Sequence, residues 1–281
     1  MLKWLALLFM TIDHIGYYFS ASLPTEVYYM FRSIGRLAFP IFAFYLVIGF
    51  THTRNPFHYM FRMACWAVIA HFAITAASLA TGRQSSLWSY DWTNIMVLFT
   101  FGIFMLLGYD LAMRSYRDMI VSMTPISDPP YNMAQTHFDV KVNIGGISLS
   151  PRVGVPMGIA MILFSFLAVY VFNADYEFYG LLTILSFYIA YQKEDDRVSL
   201  PIILFLLITL NTAYVVFAGL TQQNIRFSLI QSLSILSVFL IVSLGKKGKK
   251  PGYIEKYFFY FYYPAHIVLF IFLSDILTKT G

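Results

Sequence analysis

The sequence predicts an all-α fold: a polytopic bundle of about nine membrane-spanning helices, one domain over residues 1–281 with a long loop insert at 113–153. Three observations carry this expectation. Hydrophobic residues make up 59% of the 281 and charged residues only 12%, with a mean hydropathy of +0.67. A soluble domain carries roughly 25% charged and under about half apolar residues, so a soluble enzyme, a disordered tail and a coiled coil are excluded. Apolar runs near the roughly 20 residues needed to cross a bilayer recur along the chain. Basic residues, finally, alternate between the intervening loops.

The first span is read at 2–21. Lys3 and the apolar run to Ile12 mimic a secretory leader, with Ser20-Ala21-Ser22 as a cleavage site. Asp13 and His14 oppose that reading, since a discarded leader gains nothing from two ionisable groups, and an uncleaved helix is expected. The second span, 35–52, opens on Arg36 before Pro40. The third, 58–80, holds His71 and Cys65. As the lone cysteine, Cys65 is expected to pack as a small hydrophobe; no Cys/His spacing fits a metal site. Further spans are expected at 94–112, 154–173, 177–191, 199–218, 226–244 and 257–276. The sixth is short and the second starts amphipathically, so eight or ten spans also fit.

In the insert, residues 137–144 alternate at period two. Gly145-Gly146 then precedes Ile-Ser-Leu-Ser, the pattern of a small β-hairpin. Loops of this length are functional or disordered.

Orientation follows from lysine and arginine. Even-numbered loops hold thirteen, among them Arg54, Arg62, Lys246, Lys247, Lys249, Lys250 and Lys256; odd-numbered loops and the entry to the second span hold four. Even loops, and the N-terminus, are therefore expected in the cytoplasm, with the C-terminus outside. The net charge of +5 reflects this bias and not nucleic-acid binding. The run Lys246–Lys250 reads either as a lipid anchor or as a contact for the phosphates of a nucleotide-like donor.

Ionisable residues within spans are functional hypotheses, because a charge at the helix centre costs about 2.5–3.5 kcal/mol on insertion scales. His14 lies eleven residues past Lys3, about 16 Å deeper at the helical rise, and His266 lies ten past Lys256, about 15 Å deeper. Both helices run outward, so the two histidines share a level, and His71 falls near it. Adjacent residues do not face each other on a helix. Asp13 and His14 therefore point to different partners, with Arg36 the candidate for Asp13. Tyr262 and Tyr263 are spaced to share a face with His266.

The sequence resembles the TraX family, whose eponymous member N-acetylates pilin. The blocks are Lys3-Trp4 with Met10-Thr-Ile-Asp13-His14-Ile-Gly16; Arg32-Ser-Ile-Gly-Arg36-Leu-Ala-Phe-Pro40; Gly49-Phe-Thr-His52-Thr-Arg54; Asn94-Ile-Met-Val; Ala174-Asp175-Tyr176; and Tyr260-Phe-Tyr-Tyr263-Pro-Ala-His266. The first helix is also similar to wider membrane acyltransferases of sugars, where a basic residue precedes a histidine by eleven positions. The resemblance implies a multi-pass protein of the bacterial inner membrane that takes acetyl-CoA as acyl donor. The acceptor is an amine on a peptide or pilin-like N-terminus, or alternatively a hydroxyl on a glycan or lipid-linked sugar.

Under that reading His14 serves as base or nucleophile, with Asp13 beside it and His266 as the second histidine. Arg36 or Asn94 stabilises the oxyanion. Lys3, His52, Arg54, Arg62, Lys246, Lys247, Lys249 and Lys250 hold coenzyme A, and Asp175 and Tyr263 meet the acceptor. A transporter or flippase is the competing class, since buried polar residues and interrupted spans also mark secondary transport.

Overall fold

The computed structural model describes residues 1–86, 93–123, 142–144, 147–192, 197–221, 225–245 and 252–280. Helix α1 (Leu2–Tyr18) carries Asp13 and His14 and ends in a 3-10 turn at Ser20–Ser22. Next come α2 (Thr25–Gly35) and α3 (Ala38–His52). Residues 22–34, expected as a loop, are thus mostly helical, and α2 and α3 form one bent unit turning at Arg36-Leu37. A Cβ on Gly35 would fall inside the Asp13 side chain, so only glycine lets α2 approach α1 there.

Helix α4 (Pro56–Ala80) starts where Asn55 Oδ1 accepts from the His58 backbone N–H at 3.0 Å, with proline in the first turn. Helix α5 (Ile95–Met123) runs past the expected end at 112, so the insert begins as continued helix. Within the insert, β1 (Val142–Ile144) pairs antiparallel with β2 (Ile147–Leu149), as the alternation predicted. Helix α6 (Pro151–Val171) lies along α5 through Gly108, Gly154 and Gly158, where backbones meet too closely for larger residues.

Helix α7 (Glu177–Ala190) leads to a two-residue ladder of β3 (Tyr191–Gln192) with β4 (Arg197–Val198). Then follow α8 (Leu200–Leu220), α9 (Ile225–Ser232), a 3-10 turn at Leu233–Leu236 and α10 (Ser237–Leu244). Helix α11 (Tyr253–Thr280) closes the bundle with Pro264 inside it.

Among the described residues, seven helical segments are long and apolar enough to cross a membrane; α7 is a shorter apolar helix. With the 17-residue α1, each of the nine expected spans coincides with a helix or a bent helix. The protein is a polytopic helical membrane bundle. Its buried centre comes largely from α3 and α5, including Ile41, Phe44, Val47, Leu98, Ile103 and Leu106. Large apolar side chains such as Phe205, Leu220 and Phe261 face outward, as a lipid solvent allows. Cys65 is exposed on this outer surface, correcting its expected role in packing.

Candidate functional site

The site grows from one face of α1. Lys3, Leu7, Met10 and His14 are spaced three or four residues apart, which stacks them along a single stripe. Lys3, Leu7 and Met10 line an apolar cavity of about 180 Å³, completed by Phe42, Tyr45, Tyr59, Met63, Phe99, Tyr260 and Tyr263. His14 lines a second, polar cavity of about 810 Å³, together with Asp13, Arg32, Arg36, Asp175, Glu177, Gln231 and Tyr263. Tyr263 borders both.

His14 Nδ1 lies 2.6 Å from His266 Nε2. His266 Nδ1 lies 2.7 Å from the Tyr262 carbonyl oxygen, which can only accept. His266 Nδ1 therefore carries a proton, and in the neutral ring its Nε2 accepts. His14 must then donate through Nδ1, leaving the lone pair of its Nε2 for chemistry. The Tyr262 ring stacks on His266 at 4.8 Å, and its hydroxyl meets Thr11 Oγ1 at 2.8 Å, fixing the second histidine from two sides.

Asp13, on the neighbouring face of α1, points to α2. Arg32 Nη1 donates to its Oδ2 at 2.7 Å and Arg36 Nη2 to its Oδ1 at 3.2 Å. Arg36 Nη1 also donates to Gln231 Oε1 at 3.1 Å. The separation of Asp13 from His14 and its pairing with Arg36 match the sequence reading. Arg32 was expected only as a loop charge, although its i,i+4 spacing to Arg36 was the signal for a shared face. Gln231 was also missed; an amide among the serines of the 226–244 span was the mark to follow.

Asp175 sits between α6 and α7, where Asn173, Tyr176 and Glu177 all take positive φ. Burial raises its carboxyl from the ordinary 3.8 to about 6, against the pull of Arg36. At the other cavity Lys3 Nζ lies 4.7 Å from the Tyr45 ring centre, and the Arg62 guanidinium lies over Tyr59 and Tyr260 at 5.3 and 5.8 Å. Since Tyr45, Tyr59 and Tyr260 all line the apolar cavity, both cations belong to its edge.

The other expected positions lie elsewhere. Asn94 is 1% exposed and lines neither cavity. Its Oδ1 accepts from the Met96 N–H and its Nδ2 donates to the Ala67 carbonyl, so the amide joins α4 to the start of α5. Its chain neighbours Ile95 and Met96 line the apolar cavity and Thr93 the polar one. His52 and Arg54 are exposed at the α3–α4 turn and line neither cavity. His71 is buried in α4 and lines neither cavity. Lys246, Lys247, Lys249 and Lys250 fall outside the described residues. No group of three potential metal-ligating residues occurs among the described residues.

No solved structure matches the chain. A probable fimbrial assembly protein FimC, serogroup H1, from Dichelobacter nodosus is 38% identical over 69 residues, 25% of this chain and 28% of that protein. The match thus spans under a third of that relative. A family model described as TraX protein covers residues 1–274. The chain belongs to the TraX family.

Proposed function

We propose that the protein is a membrane acetyltransferase that moves an acetyl group from acetyl-CoA to an amine, such as a peptide N-terminus, in the polar cavity. The observation that carries the reading is the His14–His266 pair, with its tautomers set by the Tyr262 carbonyl and His14 lining the larger cavity, which shares Tyr263 with the apolar one. The apolar cavity suits the arm and acyl end of the donor. Lys3 and Arg62 at its edge suit the donor's phosphates, and the positive-inside bias supports a cytoplasmic position for that edge. Asp175 in the polar cavity suits an ammonium group.

An ammonium held by Asp175 first releases one proton to solvent through the polar cavity; the neutral amine nitrogen then attacks the thioester carbonyl carbon while His14 Nε2 takes a second proton. The charge that forms on the imidazole is shared toward His266 through the 2.6 Å contact. Tyr263 accepts from the Ile95 N–H at 3.3 Å, which leaves its own O–H to stabilise the oxyanion. Collapse of the tetrahedral carbon breaks the C–S bond, and the thiolate leaves with the proton returned by His14. The two guanidinium groups act through Asp13 to hold α1 in place, and Arg36 adds positive potential to the cavity.

The test is acceptor-dependent release of free thiol from acetyl-CoA by protein purified in nanodiscs, with the acetylated amine identified by mass. Thiol release that is absent with every amine, or unchanged in His14→Ala, would refute the reading.

A further inference from the structure

The larger cavity is polar on one side only. Asp13, Arg32, Arg36, Asp175 and Glu177 line it together with apolar residues of α7 and α8, among them Leu182, Leu210, Ala213 and Phe217. Helical spacing sets Leu210, Ala213, Tyr214 and Phe217 on one face of α8. Leu182 on α7 is 36% exposed and Phe217 57%, and Ala213 is exposed as well. Three tyrosines that line the same cavity join its charged side to this apolar wall. The Arg36 guanidinium lies 5.9 Å from the Tyr176 ring centre, Tyr176 lies 6.3 Å from Tyr179, and Tyr179 lies 5.3 Å from Tyr214. Tyr179 Oη also meets Asn211 Oδ1 at 3.3 Å, which ties α7 to α8.

Neither water nor a lipid tail matches such a chamber alone. Apolar side chains left in water favour an apolar partner, while a hydrocarbon tail drawn inward would strip water from the charged groups. The charges set a further condition. Among the lining residues three carboxylates, Asp13, Asp175 and Glu177, stand against two guanidiniums, Arg32 and Arg36. Asp13 already bonds both arginines. The surplus falls on Asp175 and Glu177, which lead into α7 and so into the apolar wall. A cation bearing an apolar group complements this arrangement. A zwitterion with a phosphate beside its amine would set an anion against the same carboxylates.

We propose that the acceptor is a peptide N-terminus with an apolar side chain at its first or second residue, bound with the ammonium at Asp175 and that side chain on the face of Leu182, Leu210 and Phe217. A cavity of about 810 Å³ falls in the range that encloses drug-sized ligands, more than a bare amine needs. One fully buried methylene is worth about fourfold in binding, so choice among amines rests with the apolar wall. The inference deepens the transfer reading, on which its placing of the amine rests.

Binding to the full chain in nanodiscs is measured by calorimetry, with empty nanodiscs subtracted, for Ser-Ser-Ser-amide, Leu-Ser-Ser-amide and Ser-Leu-Ser-amide. At least one leucine peptide should bind about tenfold tighter than the triserine, the yield of partial burial of its side chain. Leu182→Ser and Phe217→Ser remove apolar surface from the wall, and both side chains are exposed, so the bundle should still fold. Together they should cut the preference at least about fivefold and leave triserine binding within about twofold. Should the pair fail to elute as a folded species, each single variant should still cut it at least about twofold. Phe205→Ser, on α8 but outside the cavity, should keep the preference, which separates the wall from a general change at the lipid face. Equal binding of the three peptides, or a preference that survives these wall variants, overturns the proposal. Tighter binding of lysophosphatidylethanolamine than of either leucine peptide also overturns it, by making the occupant a lipid. Leucine preference without acyl transfer refutes the transferase and keeps the peptide site; transfer without preference does the reverse.

Discussion

Replacing Asp13 by asparagine tests what holds the first helix to the second. The carboxylate sits between two guanidinium groups at 2.7 and 3.2 Å, with side-chain exposures of 11% for Asp13 and 15% and 13% for the arginines. The Asp13→Asn side chain would keep the shape and remove the negative charge that bonds both arginines. Breaking a buried pair by removing one partner costs about 3–5 kcal/mol. Because the arginines also line a large polar cavity, the lower end, about 3 kcal/mol, is expected. Gly35→Ala attacks the same contact from the other helix, since its Cβ would occupy the space of Asp13 Oδ1, Cβ and Cγ. Overpacking alone costs about 1–3 kcal/mol. In Asp13→Gly all three of those atoms are gone, so adding Gly35→Ala should cost at least about 1 kcal/mol less than it does alone. Unfolding in detergent, followed by intrinsic fluorescence and by retention on size exclusion, gives all the differences. Asp13→Asn protein within about 0.5 kcal/mol of the native chain, or strictly additive costs in the pair, would refute the reasoning.

Three further outcomes are expected. His14→Ala and His266→Ala should each lower kcat about 10²–10⁴-fold per folded molecule. The double variant should be little worse than His14→Ala, because the pair acts as a unit; multiplied losses in single-turnover kinetics would separate the two roles. Asp175 binds an ammonium group only when ionised, so acceptor KM should fall as pH rises through about 6, and Asp175→Asn should keep a high KM without that inflection. Because its folded pKa is raised, the stability tied to this carboxyl is present below the unfolded range and is lost as pH rises through about 6. Asp175→Asn should thus be the more stable protein at pH 8, by no more than about 3 kcal/mol, in detergent melts. In a Cys65→Ser background, cysteine at 221 should label from outside and cysteine at 248 from the cytoplasm; outside labelling of 248 inverts the orientation and moves the donor side with it.

The sequence by itself determined that this chain lives in lipid, where its spans lie, and that His14 and His266 share a depth. Hydropathy and helical rise are properties of a single helix, so they are legible without neighbours. The same local geometry separated Asp13 from His14 and put Tyr262 and Tyr263 on the face of His266. Which helices meet depends on rotation and proximity between segments far apart in sequence. Only the tertiary structure therefore decided that His14 Nδ1 faces His266 Nε2, that Arg32 joins Arg36 on Asp13, and that Gln231 is brought from a broken span to the same cavity. It also showed that the Asn94 amide joins α4 to the start of α5. It moved Cys65 to the lipid-facing side, since hydropathy fixes the depth of a residue in a span but not the direction in which it points.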